Sequence, residues 1–143
     1  GGELMASLIY NSLLRDEAIG GIDYDTDTFK VMLTTSAYTE NKDTHTKRSD
    51  VTGEVVGAGY TAGGNTVAAT VGAVDAANDR VEITFAGTTW PASTITARKA
   101  VIYKSRGGAA SADELVSVVD FGSDIVSVTG TFTLTASTLR KQN

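Results

Sequence analysis

The sequence predicts an all-β fold, a sandwich, jelly roll or barrel, with one short helix before the strands. Apolar residues alternate with threonine or charged residues in three stretches, at 28–34, 80–85 and 131–135. This period of two is typical of a strand that is half buried against a core. About seven short strands follow one another at roughly 10-residue spacing, as they do in sandwiches and barrels.

The helix is predicted at about residues 7–18. Four aliphatic residues recur there at helical spacing, and Gly20-Gly21 ends the run. We expect residues 6–14 to pack under the sandwich, the alternative being an interaction arm. Met5 has the look of a natural start, so residues 1–4 are interpreted as a remnant of an expression vector and residues 5–143 as a single β-sandwich domain.

Turn residues set the expected limits of the strands. Trp90-Pro91 is expected to end the first hairpin, and 122–124 to turn the chain between two later strands. The apolar run 116–121 fits a strand covered on both faces, by this chain or by another subunit. The predicted strands are 28–36, 67–74 paired with 80–85, 94–104, 115–121 and a last one around 132–134, with loops at 39–50 and 107–113.

Composition argues against several classes of function. The chain has 143 residues, a net charge of −5, no cysteine and one histidine, His45. An acidic chain disfavours nucleic-acid binding, and the absence of cysteine excludes disulfides and thiolate zinc sites. No stretch approaches the ~20 apolar residues that span a bilayer, so we expect no membrane insertion. With so few groups that titrate near neutral pH, we expect a binding or scaffold protein without catalytic residues.

Two stretches superficially match ligand-binding loops. Residues 23–27 alternate aspartate like the start of a calcium loop, but Thr28 and Thr34 hold the positions where glycine and glutamate are needed. A solvated strand entry is the favoured interpretation, with metal binding as the alternative. The glycines of 57–64 lack the Lys-Ser/Thr ending of a phosphate loop, so bends in strands are favoured there. No metal or cofactor site is therefore predicted.

The remaining polar and aromatic residues also have two interpretations each. His45 is expected to be an exposed loop residue, because no serine triad or zinc partners accompany it. The basic residues are expected to be solvated, with contact to an acidic protein surface as the alternative: Lys42, Lys47, Arg48, Arg98, Lys99, Lys104 and Arg106. The aromatic residues are expected to pack in the core, with sugar stacking or an interface as the alternative: Trp90, Tyr24, Tyr38, Tyr60 and Tyr103.

Three stretches, taken in order, resemble a known family. They are 25–39, the loop 59–64, and 93–104 with its follower 118–122. Together they are similar to the capsid decoration (cement) proteins and other small virion structural proteins of tailed bacteriophages. The resemblance covers most of the chain from Met5 onward and rests on strands and turns, not on catalytic motifs.

The resemblance implies a jelly-roll-type β-sandwich that binds the outer surface of an icosahedral head and bridges neighbouring major capsid subunits. It implies no catalytic residue, cofactor or metal, and a virion location after assembly in the host cytoplasm. The expected partners are the major capsid protein and the chain itself, as a dimer or trimer, since repeated contacts favour closed symmetry. The alternative is a tail, neck or fibre component that binds a receptor or a glycan; a free-standing carbohydrate-binding module is less favoured.

Overall fold

Two β-sheets pack against each other in a sandwich, with one helix near the N-terminus. A computed structural model describes residues 3–143. The helix, α1, spans Asn11–Ala18. The strands are β1 (Leu4–Met5), β2 (Leu8–Ile9), β3 (Phe29–Thr34), β4 (Asn65–Val67), β5 (Ala69–Val71), β6 (Arg80–Phe85), β7 (Thr88–Lys104), β8 (Leu115–Leu134) and β9 (Ser137–Gln142). The sandwich with a short N-terminal helix is the architecture expected from the alternating strands.

The first sheet has the order β1-β9-β6-β5, and the second has the order β2-β8-β7-β3-β4. Strands β6 and β7 are separated by only two residues, as are β8 and β9, and both β6–β9 and β7–β8 pair antiparallel. The segment β6–β7 therefore pairs with the segment β8–β9 along one long antiparallel ladder, and this ladder lies in the middle of both sheets. It passes between the sheets where Gly87 lies so close that a Cβ would stand 2.5 Å from the carbonyl oxygen of Leu134.

The N-terminal segment closes one side of the sandwich by pairing with both sheets. Leu4 and Met5 run parallel to β9, while Leu8 and Ile9 run antiparallel to β8. The predicted start of the helix is therefore wrong, because Leu8 and Ile9 form a strand and α1 begins at Asn11. Leu4, which was interpreted from the sequence as part of a vector remnant, pairs with β9 in the first sheet.

The second sheet is buried on both faces around residues 115–119 of β8. The main apolar core contains Val116 and Val119 together with residues of both sheets. A separate buried cluster combines residues of β3, β7 and β8 with two tyrosines from outside the strands: Tyr10, Met32, Tyr38, Val101, Tyr103, Leu115 and Val118. The prediction that this apolar run is covered on both faces is confirmed, and the covering segments belong to the same chain.

Two predicted turns lie inside strands instead. Trp90-Pro91 lies within β7, where the register with β8 shifts between Trp90 and Ser93. Residues 122–124 lie within β8, at a second shift between pairs Ala97–Ile125 and Lys99–Asp120. The first break has one extra residue, as in a bulge, and the second has three extra residues in β8; both let the strand bend without ending it. The predicted hairpin of 67–74 with 80–85 is present as β5–β6, which pair at 69–71 and 83–85, whereas residues 65–67 pair with β3 in the other sheet.

Candidate interaction surface

The aspartates of the predicted calcium-like stretch form a compact turn. The backbone N–H of Asp25 donates to Asp23 Oδ1 at 2.9 Å, and that of Asp23 donates to Asp27 Oδ2 at 2.8 Å. Asp27 also pairs with Lys104, whose Nζ lies 2.9 Å from its carboxylate. Within residues 3–143, no three acidic or histidine side chains are placed to hold a metal ion. The stretch leads into β3, as its favoured interpretation required.

The glycine-rich loop is fixed against the sheet by a hydrogen-bond network that is partly buried. The Glu54 carboxylate accepts hydrogen bonds from Tyr60 Oη and from the Gly63 N–H, both at 2.7 Å. Tyr103 Oη donates to the Gly63 carbonyl at 2.5 Å. Gly64 has a φ of +75°, and a Cβ at this position would overlap the carbonyl oxygen of Val31. The glycines therefore serve close packing and turn formation, which agrees with the bend interpretation.

His45 is half buried, in contrast to the exposed residue that was expected. Its Nδ1 lies 2.9 Å from Tyr38 Oη and accepts a hydrogen bond from the Asn41 N–H at 3.2 Å. Because a backbone N–H can only donate, Nδ1 acts as an acceptor here. Tyr38 Oη in turn lies 2.6 Å from Tyr10 Oη. This chain of polar groups ties the loop 39–50 to the N-terminal segment.

The basic residues of the sequence do not form an open patch, because five of them are paired with acids. The pairs and their distances are Arg48–Asp113 at 2.8 Å, Arg98–Asp124 at 3.0 Å, Lys99–Glu40 at 2.5 Å, Lys104–Asp27 at 2.9 Å and Arg106–Glu114 at 2.6 Å. Asp113 and Glu114 are buried. The hydrogen bonds from Arg106 hold the pKa of Glu114 below its usual range. These ion pairs hold loops against the sheets and neutralise the positive charge of the five basic residues.

The aromatic residues lie in or beside the core. Trp90 is 3% exposed, and its ring centroid lies 5.9 Å from those of Tyr60 and Phe132. Tyr38 and Tyr103 are buried, and Tyr24 and Tyr60 are half buried. Burial raises the pKa of each of these tyrosines. The core-packing interpretation is confirmed. These five side chains do not form an exposed aromatic surface on which a sugar could stack.

The exposed feature that sequence reasoning missed is an aliphatic patch on β8. We call Ile125, Val126 and Val128 the β8 patch; they are 43%, 57% and 73% exposed. Ile125 also lines a groove of about 310 Å³ between β8 and the N-terminal segment, with Leu4, Phe121 and Phe132 on its walls. A sequence signal existed, because residues 125–139 carry no charged side chain.

Comparison with known proteins adds no relative. No family model, no curated protein and no solved structure matches this chain. Among residues 3–143, no helix combines the length and apolar character needed to cross a membrane. Fold and site geometry are therefore the structural basis on which a function is proposed.

Proposed function

We propose that this chain is a non-enzymatic capsid decoration protein of a tailed bacteriophage, which binds the outer surface of the head and stabilises contacts between major capsid subunits. The proposal depends on the observation that the side chains capable of acid–base chemistry have structural roles. His45, Glu54 and Glu114 are held in hydrogen bonds or ion pairs within the fold, and each supports a loop or strand. Such a molecule acts through shape and surface. The sequence resemblance supplies the phage context.

A decoration protein needs a rigid domain that spans the boundary between neighbouring capsid subunits. Here the long β6–β7 and β8–β9 ladder connects the two sheets, and the N-terminal segment pairs with both. A ligand that binds the assembled shell and not free subunits stabilises the shell by mass action. One site occupied at 100 times its Kd contributes roughly 2.7 kcal/mol. Many copies with modest affinity can therefore stabilise a head.

The alternative of a tail or fibre component that binds glycans relied on exposed aromatic side chains. Trp90 is buried, and Tyr60 is half buried with its Oη bonded to Glu54. Planar sugar faces need accessible rings, so these residues do not favour that role. The decoration role is the one carried forward.

The test is to add the purified protein to phage heads that lack decoration and to image them. We expect saturable density on the head exterior and a higher melting temperature of the capsid. An unrelated β-sandwich protein of similar net charge serves as the control for non-specific adsorption. Density on the tail, or binding to host cells without binding to heads, would contradict the proposal. Substrate turnover that disappears in His45→Ala would contradict its non-enzymatic part.

A further inference from the structure

Most basic side chains of this chain are paired with an acid, and most of the exceptions lie at or beside α1. Eight of the twelve Lys and Arg side chains form ion pairs. Among residues 3–143, the side chains with no acid within ion-pair distance are Arg15, Lys30, Lys42 and Lys47. Lys30 belongs to β3. Arg15 belongs to α1, and Lys42 and Lys47 belong to the loop 39–50.

The outward side of α1 combines aliphatic side chains with a cation. The exposed residues of this helix are Asn11, Leu14, Arg15 and Ala18. Residues spaced by three or four positions are neighbours on a helix surface, so these residues form one stripe. Leu14 is 58% exposed, and Ile19, directly after the helix, is 62% exposed. The helix therefore places aliphatic side chains in water next to Arg15.

The loop 39–50 brings its two cations to the helix. The Asn11 N–H donates a hydrogen bond to the Lys42 carbonyl oxygen at 3.0 Å. Burial raises the pKa of Asp16 in α1, and the positive charges of Lys47 and Arg15 oppose this rise. A cation favours the ionised form of a carboxyl group in this way only when it lies nearby. Arg15, Lys42 and Lys47 are therefore gathered around α1.

The area around α1 is positive although the chain is acidic. Its acids are Asp16, which is 8% exposed, and Asp43, which accepts a hydrogen bond from Asn11 Nδ2 at 2.6 Å. Glu17, the other acid of α1, is neutralised by Lys141. The unpaired cations therefore outnumber the unpaired acids here, whereas the whole chain has a net charge of −5.

Charge and aliphatic exposure together indicate what binds this area. An acidic partner is repelled by most of this chain and attracted at α1, so charge alone orients it. A nucleic acid presents phosphates along a whole groove and offers little to aliphatic side chains. A protein surface can offer an apolar pocket with carboxylates at its rim. The combination therefore fits an acidic protein.

We propose that this chain docks on an acidic protein partner through the α1 surface, defined as Leu14, Arg15, Ile19, Lys42 and Lys47. The two aliphatic side chains enter an apolar pocket, and carboxylates around the pocket pair with the cations. The apolar contact holds the complex, while the charges select the partner and speed association. The inference rests on the proposed function only for the identity of the partner, which in that case is the major capsid protein.

Binding to undecorated phage heads tests the charges. Arg15→Gln/Lys42→Gln should raise the Kd for heads about tenfold, because two attractive charges are lost from the contact. Arg98→Gln/Arg140→Gln makes the same change in net charge at exposed ion pairs of β7 and β9, and should bind as the wild type does. Added salt should weaken the wild type more than the Arg15→Gln/Lys42→Gln protein. Equal affinity of the two double variants would overturn the α1 surface and leave the proposed function standing.

A second pair of variants tests the aliphatic contact. Leu14→Ser should raise the Kd for heads about tenfold, since a buried side chain is lost from the pocket. Val56→Ser, at a 98% exposed site, should leave the Kd unchanged. Thermal melting checks that each variant folds. Equal effects of the two serines on binding would overturn the docking of Leu14.

A titration with poly-L-glutamate, followed by amide chemical shifts in NMR, tests the surface without heads. We expect the shifts to concentrate at residues 11–19 and 41–48 and to be lost in Arg15→Gln/Lys42→Gln. Shifts that are absent, or scattered over the molecule, would overturn the proposal. Binding to phosphatidylglycerol vesicles without poly-L-glutamate shifts would overturn a protein partner in favour of lipid. A wild type that binds no heads but shows the expected shifts would refute the proposed function alone.

Discussion

Raising the pH above the ordinary pKa of tyrosine should unfold this protein in one cooperative step. Burial raises the pKa of all five tyrosines, Tyr10, Tyr24, Tyr38, Tyr60 and Tyr103. The hydroxyls are also engaged: Tyr10 with Tyr38, Tyr24 with Glu17, Tyr60 with Glu54 and Tyr103 with the Gly63 carbonyl. The folded state therefore binds tyrosine protons more tightly than the unfolded chain does.

The size of the effect can be worked out for Tyr103. Burial raises its pKa from 10.0 to about 12. A shift of one unit corresponds to ~1.4 kcal/mol, so this one side chain accounts for about 3 kcal/mol. Because the folded pKa is the higher one, this contribution is complete below pH 10 and is lost as the pH rises toward 12. Domains are stable by only about 5–15 kcal/mol, so loss of several such contributions is enough to unfold the chain.

The assay follows ultraviolet absorbance of tyrosinate and circular dichroism of the sheet in the same sample. We expect both signals to change together at a pH above 10, with a steep dependence on pH. The control is the same titration in denaturant, where all five tyrosines should ionise near the ordinary pKa. Gradual ionisation near pH 10 with the sheet signal intact would refute the reasoning, because it would show that water reaches the hydroxyls in the folded state.

Two further perturbations test the loops. Gly64→Ala should cost more than about 3 kcal/mol of unfolding free energy, because its Cβ would overlap a β3 carbonyl. Gly107→Ala, at a similar φ of +81° but with open space around it, should cost only about 1–2 kcal/mol, and equal costs in urea denaturation would contradict the packing argument. Glu114→Gln should destabilise near neutral pH, by about 1 kcal/mol because Arg106 is 45% exposed. The pKa of Glu114 is lowered in the folded state, so its contribution is present above the usual carboxylate range and lost as the pH falls through the folded value. The wild-type and Glu114→Gln unfolding curves should therefore approach each other as the pH falls; a difference that does not shrink in acid would contradict the ion-pair explanation.

Strand alternation was enough to predict the sandwich, because alternating apolar and polar residues indicate that one face of a strand is buried and the other is exposed. The apolar run 116–121 similarly predicted burial on both faces. The start of the helix could not be predicted, since Leu8 and Ile9 fit helical spacing and their strand state depends on pairing with β8, over 100 residues away. The prediction that Trp90-Pro91 ends the hairpin was wrong, because a bulge in β7 accommodates the proline, which cannot donate a hydrogen bond to the ladder.

The polar residues were harder to place than the apolar ones. His45 lacked any sequence partner that would predict half burial, because its contact with Tyr38 depends on how the loop 39–50 folds back. The β8 patch was missed for a related reason. Val126 and Val128 are of a residue type common in cores, and only the fold shows that their side chains are exposed.

The pairing of the first strand with the last has a consequence for synthesis. Leu4 lies beside Ser137, so the first sheet needs β1 and β9 to be present at the same time. A nascent chain on the ribosome cannot complete the first sheet until β9 has left the exit tunnel. Most contacts that close the sandwich join residues far apart in sequence, which slows folding. Newly made chains should therefore pass through a partly structured period before β9 pairs, in which chaperones or aggregation can compete with folding.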